Sequence, residues 1–286
     1  MKHARHAAIV LLIAGVALAG CSTTYTVGST SPARKSPGAT SPHPGQTRTS
    51  PSSTQTSAIP ASMAWCSSAP TGQSNTLGGG FDLYNNEWNI PYHPGPQTIC
   101  GNSGSDWQVT STQRAGNTAV LTYPSVQRNY NGTKGYPLST FTRMTSSYAE
   151  NMHTVGGTDA NATYDILLRR TTMHKHGEVM FWVDNHGPPA SQKVAGRNKV
   201  ATTAFSGATW DLFENGKGNM SFVRRGTATS GTVDLLAGLK YLERRGDLAA
   251  SDVVWQVNFG WEIASTGGGP ETFSVSHYSL TSTPSS

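Results

Sequence analysis

Gly177-Glu178-Val179-Met180-Phe181-Trp182-Val183-Asp184 and Val257-Asn258-Phe259-Gly260-Trp261-Glu262-Ile263 are the two stretches on which the reading of this chain turns. Both alternate with the period of two that a β-strand imposes on its side chains. One face of the first is Val179, Phe181 and Val183; one face of the second is Val257, Phe259, Trp261 and Ile263. Each strand therefore offers an apolar row to a core and sets a glutamate, Glu178 or Glu262, on the opposite face.

Outward from these two, the rest of the chain reads as short strands between Gly, Asn and Pro turns. The pattern predicts strands at Phe81–Trp88, Trp107–Ser111, Thr118–Tyr123, Ser139–Tyr148, Ala162–Arg170, Glu178–Asp184, Val194–Phe205, Thr209–Asn215, Met220–Arg225, Val253–Ile263 and Thr272–Leu280. One helix is expected, from Asp234 to Arg245. There Leu235, Leu239 and Leu242 recur at helical spacing, Asp234 favours the start, and Arg244, Arg245 and Gly246 favour the end. So many strands must pack or curl to hide their edges, so the expected fold is all-β: a jelly-roll sandwich of two curved antiparallel sheets with one α-helix. Two carboxyl groups facing one cleft of such a sandwich suit glycoside hydrolysis. One protonates the departing sugar oxygen while the other attacks or activates water.

The first residues read as an address. Lys2 and Arg5 precede an apolar run from Ala7 to Ala19 that is too short to span a bilayer. Leu18-Ala19-Gly20-Cys21 closes it and resembles the lipobox of bacterial lipoproteins, in which the chain is cut before a cysteine that then carries lipid. That resemblance makes residues 1–21 a lipoprotein signal and Cys21 the lipidated first mature residue on the outer face of the cell membrane. An ordinary secretory signal is the alternative. Residues 22–62 are Ser, Thr, Pro and Gly with almost no large apolar side chains, a composition expected to stay disordered as a tether. About 40 such residues span roughly 35 Å. Residues 63–286 are left for one β domain with a single core.

Five of the 21 Lys+Arg lie before residue 62 and none of the 16 Asp+Glu does, so the domain itself is balanced in charge. The basic pI gives no reason to expect a nucleic-acid partner. With Cys21 taken by lipid, Cys66 and Cys100 are the two cysteines left in an oxidising compartment, and they are expected to pair. The crosslink is expected to contribute about 3–4 kcal/mol on the chain-entropy estimate.

Several motifs, in order, carry a resemblance to glycoside hydrolase family 12, the single-domain jelly-roll endoglucanases and xyloglucanases. They are Tyr84-Asn85-Asn86-Glu87-Trp88, Leu121-Thr122-Tyr123-Pro124-Ser125, Thr163-Tyr164-Asp165-Ile166-Leu167, Glu178-Val179-Met180-Phe181-Trp182 and Phe259-Gly260-Trp261-Glu262. The resemblance implies a retaining hydrolase of β-1,4-linked glucans such as cellulose, mixed-linkage glucan or xyloglucan. In it Glu178 is the nucleophile, Glu262 the general acid and later base, and Asp165 the neighbouring carboxyl that tunes the nucleophile. It further implies Trp88 as a sugar-stacking platform and Asn86 as its hydroxyl partner. Met180 and Trp182 share a strand face with Glu178 and are expected to floor the cleft, and Asn258 shares one with Glu262. An aromatic found buried would be packing rather than platform. The family's Trp-x-Trp strand is here Asp106-Trp107-Gln108-Val109-Thr110, which keeps one tryptophan at most.

Other chemistries are weaker. His174-Lys175-His176-Gly177-Glu178 alternates two imidazoles and a carboxylate, but a third histidine of cupin type does not follow, and no metal site is expected. No phosphate loop, serine elbow or dinucleotide fingerprint occurs, and two carboxyl groups need no cofactor. A non-catalytic carbohydrate-binding jelly roll shares the fold and the aromatics, yet has no use for two strand-borne glutamates. The expected partner is a β-glucan polysaccharide, with membrane contact through the lipidated cysteine only and a monomeric state.

Overall fold

The computed structural model describes residues 63–284 apart from 75–76, 78, 155, 172–174, 188–197 and 217. The leader, Cys21, the tether and the histidine side chains of the His174 motif lie outside the described residues. Strands are numbered in chain order. One sheet has six: β1 (Trp65–Ser67), β3 (Gln97–Ser103), β4 (Asp106–Thr112), β15 (Pro270–Pro284), β7 (Phe141–Met152) and β13 (Ser230–Asp234), in that spatial order. The other has nine. Its order is β10 (Asn198–Phe205), β11 (Ala208–Glu214), β12 (Asn219–Arg224), β9 (Lys175–His186), β8 (Thr158–Arg170), β14 (Val253–Thr266), β5 (Ser125–Asn129) and β2 (Asp82–Tyr84), with β6 (Tyr136–Pro137) paired to β14. This is the jelly-roll sandwich that the strand pattern implies. One pair departs from the antiparallel rule: β9 and β12 run parallel, because the chain leaves β9 for the far edge at β10 and returns by two hairpins.

The core fills the space between the sheets. Val179, Phe181 and Val183 of β9 and Val257, Phe259, Trp261 and Ile263 of β14 are all fully buried, so the alternation places both apolar rows as expected. They meet the other sheet through aromatic contacts, Trp107 with Trp261 at 5.0 Å edge-on and Phe259 stacked on Tyr278 at 5.6 Å. Such pairs add to the area that they remove from water. The disulfide joins Cys66 to Cys100, directly opposite each other on β1 and β3.

The helix α1 (Leu235–Arg245) lies where its spacing predicts. Asp234 caps it by accepting from the Ala237 amide at 3.0 Å, Gly246 ends it in the left-handed conformation, and Leu235, Leu239 and Leu242 face the core. A glycine within the helix, Gly238, is a packing choice. A Cβ there would stand 2.4 Å from the Phe181 ring, the inward side chain of the strand that carries Glu178.

Two expectations change. Residues 118–123 do not form a strand; they cross between neighbours and make one bridge, Thr122 to Ile263. The Leu121 amide donates to Ile263 O, the Ile263 amide to Thr122 O, and the Tyr123 amide to Asn86 O. Conversely β1, β3, β5, β6 and β13 were not expected as strands, since each is short or nearly devoid of alternating apolar residues and is held by its neighbours.

Candidate active site

The outward face of the nine-stranded sheet carries the polar half of each alternating strand. Register sets one transverse row: Ser221 on β12, Met180 on β9, Asp165 on β8, Asn258 on β14 and Gln127 on β5. Along β8 the same face presents Asn161, Thr163 and Asp165, all buried. Glu262 stands opposite Asn161, and Glu178 stands opposite Leu167. Both glutamates are half-buried, so each is supported by the sheet and still reached by solvent.

Asn161 donates from Nδ2 to Glu262 Oε2 at 2.9 Å. Thr163 donates from Oγ1 to Asp165 Oδ1 at 3.3 Å. Above Thr163, Tyr123 donates its phenol to the Thr163 carbonyl at 3.1 Å. That phenol is pushed well above its ordinary value, first by burial and then by the negative charges of Asp165, Glu262 and Glu178, with Tyr278 adding to them. All three acids are close enough to act electrostatically on that buried hydroxyl, which stays protonated as a donor to Thr163. Asn161 and Tyr123 stand beside the candidate acids, and neither was assigned to the site from the sequence. Asn161 shares the β8 face with Asp165, a usable clue. Tyr123 stands in the Leu121–Ser125 motif, but a strand reading of residues 118–123 gives no sign that the segment crosses to β8.

The backbone brings the acid strand close to its supports. Gly260, two residues before Glu262, faces the Pro124 carbonyl, and a Cβ there would stand 2.0 Å from that oxygen. The glycine lets the 121–125 segment, and with it Tyr123, lie against β14.

The expected cleft residues divide. Trp88 is 53 % exposed just past the edge strand β2, and Asn86 is half-buried with its carbonyl accepting from the Tyr123 amide and Thr122 Oγ1. Met180 and Trp182 lie on the outward face with Val223 and Phe213, forming an apolar cluster separate from the main core. Trp182 is 4 % exposed and its Nε1 points to Met180 Sδ at 3.3 Å, so its ring is packed as a wall rather than open as a platform. Asn258 is buried; its Nδ2 donates to Gln256 while its Oδ1 has no partner. Trp107 is in the core against Trp261 and lends nothing to the cleft. Among the described residues no group of three metal-ligating side chains occurs.

The family model for glycosyl hydrolase family 12 matches residues 79–282. The chain belongs to glycosyl hydrolase family 12. Among solved structures it is similar to the xyloglucanase domain of NopAA, a type three effector from Sinorhizobium fredii, solved with cellobiose. The two are 27% identical over 78% of this chain and 100% of that one, with a TM-score of 0.63. A family 12 xyloglucanase from Bacillus licheniformis is 24% identical over 77% of this chain and 100% of its own, with a TM-score of 0.63. The Trichoderma harzianum endoglucanase 3 shares the fold at 21% identity over 79% of this chain and 100% of its own, with a TM-score of 0.66. No curated protein sequence matches. As a family 12 member the chain is a glycoside hydrolase of the endoglucanase type that acts on β-glucan.

Proposed function

We propose that this family 12 enzyme cleaves β-1,4-linked glucan chains internally with retention of configuration. Glu178 attacks the anomeric carbon while Glu262 gives its proton to the departing glycosidic oxygen, leaving a glycosyl ester on Glu178. Glu262, now a carboxylate, takes a proton from water, and that water breaks the ester and restores Glu178. Asp165 beside Glu178 tunes the nucleophile, and Asn161 orients Glu262. Trp88 stacks on a sugar ring and Asn86 meets a hydroxyl, while Met180, Trp182 and Asn258, all buried, serve as packing beneath the cleft. The observation that carries this reading is that Glu178, Asp165 and Glu262 stand on the outward face of three adjacent strands, β9, β8 and β14.

The test is reducing-end release from carboxymethylcellulose, mixed-linkage β-glucan, xyloglucan and xylan, with Glu178→Gln as the shape-preserving control. Release from a β-1,4-glucan that vanishes in the variant supports the mechanism; equal release by both chains refutes it. In a crystal structure the two catalytic carboxyl groups of a retaining enzyme stand about 5–5.5 Å apart.

The leader belongs to the same proposal: the enzyme is exported, anchored through lipid on Cys21 and carried as a monomer on the 22–62 tether. Mass spectrometry of the mature N-terminus separates a lipidated Cys21 from cleavage elsewhere.

A further inference from the structure

Trp88, Ile90 and Tyr92 are 53 %, 52 % and 47 % exposed, and they are the exposed large apolar side chains among the described residues. They occupy alternate positions in one short segment, Trp88-Asn89-Ile90-Pro91-Tyr92-His93-Pro94, which carries no Asp, Glu, Lys or Arg. The segment is built to hold them out. Residues Ile90–Tyr92 form a single 3-10 turn with Pro91 near its start, closed by Tyr92 N to Asn89 O and His93 N to Ile90 O, both 2.9 Å. Asn89 fastens the turn from both its groups: Nδ2 donates to Val120 O at 2.7 Å and the amide donates to Leu121 O at 3.3 Å. The 120–123 segment thus gripped is the one that sets Tyr123 on β8, where its hydroxyl donates to the Thr163 carbonyl two residues from Asp165.

We infer that Ile90 and Tyr92 continue the sugar-binding surface beyond Trp88, so that a glucan lying over the catalytic carboxylates is held by this turn at one end of the cleft. The inference rests on the function proposed above and adds two specificity-determining residues to it. An uncharged, rigid apolar strip suits the C–H faces of a neutral polysaccharide, and a turn already fixed has little ordering entropy to lose on binding. Continuity with Trp88 and the bracing to the Tyr123 segment favour a glucan over other occupants of such a strip, a bilayer surface or a second copy of the chain.

The experiment compares the full chain with Tyr92→Ala, Ile90→Ala and the double variant on polymeric β-glucan and on the shortest cello-oligosaccharide that is cut. The ratio of kcat/KM on polymer to kcat/KM on the short substrate is expected to fall about tenfold in the double variant, through KM. Tyr92→Trp is expected to restore it. An unchanged ratio overturns the inference, as does a variant that instead loses binding to anionic lipid vesicles or changes sedimentation mass while the ratio holds. If the unaltered chain cuts no β-glucan, the proposed function fails on its own. Retardation in a glucan-containing gel then still tests the strip, which is refuted if the double variant is held back as strongly as the parent.

Discussion

Strand β9 of the nine-stranded sheet sends acids to both faces, Glu178 outward and Asp184 inward, into opposite surroundings. On the outward face Glu178 and Glu262 are half-buried, with Asp165 and Tyr123 beside them. On the inward face Asp184 of β9 is 1 % exposed and confronts Glu150 of β7, whose Oε2 accepts from Trp261 Nε1 at 3.2 Å. A β-bulge separates the two groups. The pairing of β8 with β9 slips between Ala162 and Thr163, so Asp184, which strict alternation would set beside Glu178, pairs with core-facing Ala162 and turns inward. Burial first, and then the charge of Asp184, push Glu150 up to about 8. The inward acid therefore holds its proton at neutral pH and works as a hydrogen-bonded strut under Trp261. The face that a strand carboxyl occupies decides whether it meets solvent or the core, and one inserted residue decides the face.

The sharpest way to break this comparison is to neutralise one acid on each side of the sheet, Glu178 outside and Glu150, which meets Asp184 from β7, inside. Glu178→Gln is expected to lower kcat by about 10⁴-fold or more with the thermal midpoint nearly unchanged, while Glu150→Gln leaves kcat within a few-fold. A comparable loss of kcat in both variants, each still folded, would contradict the division. Next in size is the packing beneath the strand that carries Glu178. Gly238→Ala adds a methyl group against Phe181 and Phe205 and is expected to cost about 1–3 kcal/mol in denaturant unfolding, although alanine is the better helix former. A neutral or stabilising result would show that the rings have room to move.

Asn161→Ala tests the outward face more gently. Removing a donor to Glu262 disfavours its ionised form, so its pKa rises and the basic limb of the kcat/KM profile moves to higher pH, with about a tenfold loss in kcat. A displaced acidic limb with the basic limb fixed would exchange the roles of the two glutamates. The strut is read out in stability alone. Glu150 has its ordinary value of 4.5 in the unfolded chain and about 8 in the fold. Between those values the folded state binds the extra proton, so stability falls as pH rises through the window. Glu150→Gln keeps an acceptor for Trp261 and is expected to flatten that fall in the thermal midpoint. An equal slope in both proteins would assign the proton elsewhere.

Much of the framework that carries the two glutamates could be read from local pattern. Two strands of strict alternation predict both buried rows and both outward glutamates, and the leucine spacing with Asp234 and Gly246 predicts the helix nearly to its ends. What escaped reading depends on partners. Ser125-Val126-Gln127-Arg128-Asn129 has little strand character alone and is a strand because β14 and β2 hold it. Alternation puts Trp182 on the outward face correctly, but Val223 and Phe213, which close over it, come from strands whose placement only the parallel β9–β12 pairing fixes. The bulge at Val183 is silent in the sequence for the same reason, since a slip belongs to two strands and the residues of one do not record it.

The most direct test of the central claim is to trap the covalent intermediate. The full chain is inactivated with a 2-deoxy-2-fluoro cello-oligosaccharide bearing a good leaving group, and the added mass is mapped by peptide mass spectrometry. The account predicts one glycosyl adduct on the peptide containing Glu178 and none in Glu178→Gln. An adduct on Glu262, or a first product of inverted anomeric configuration with no adduct, would contradict it.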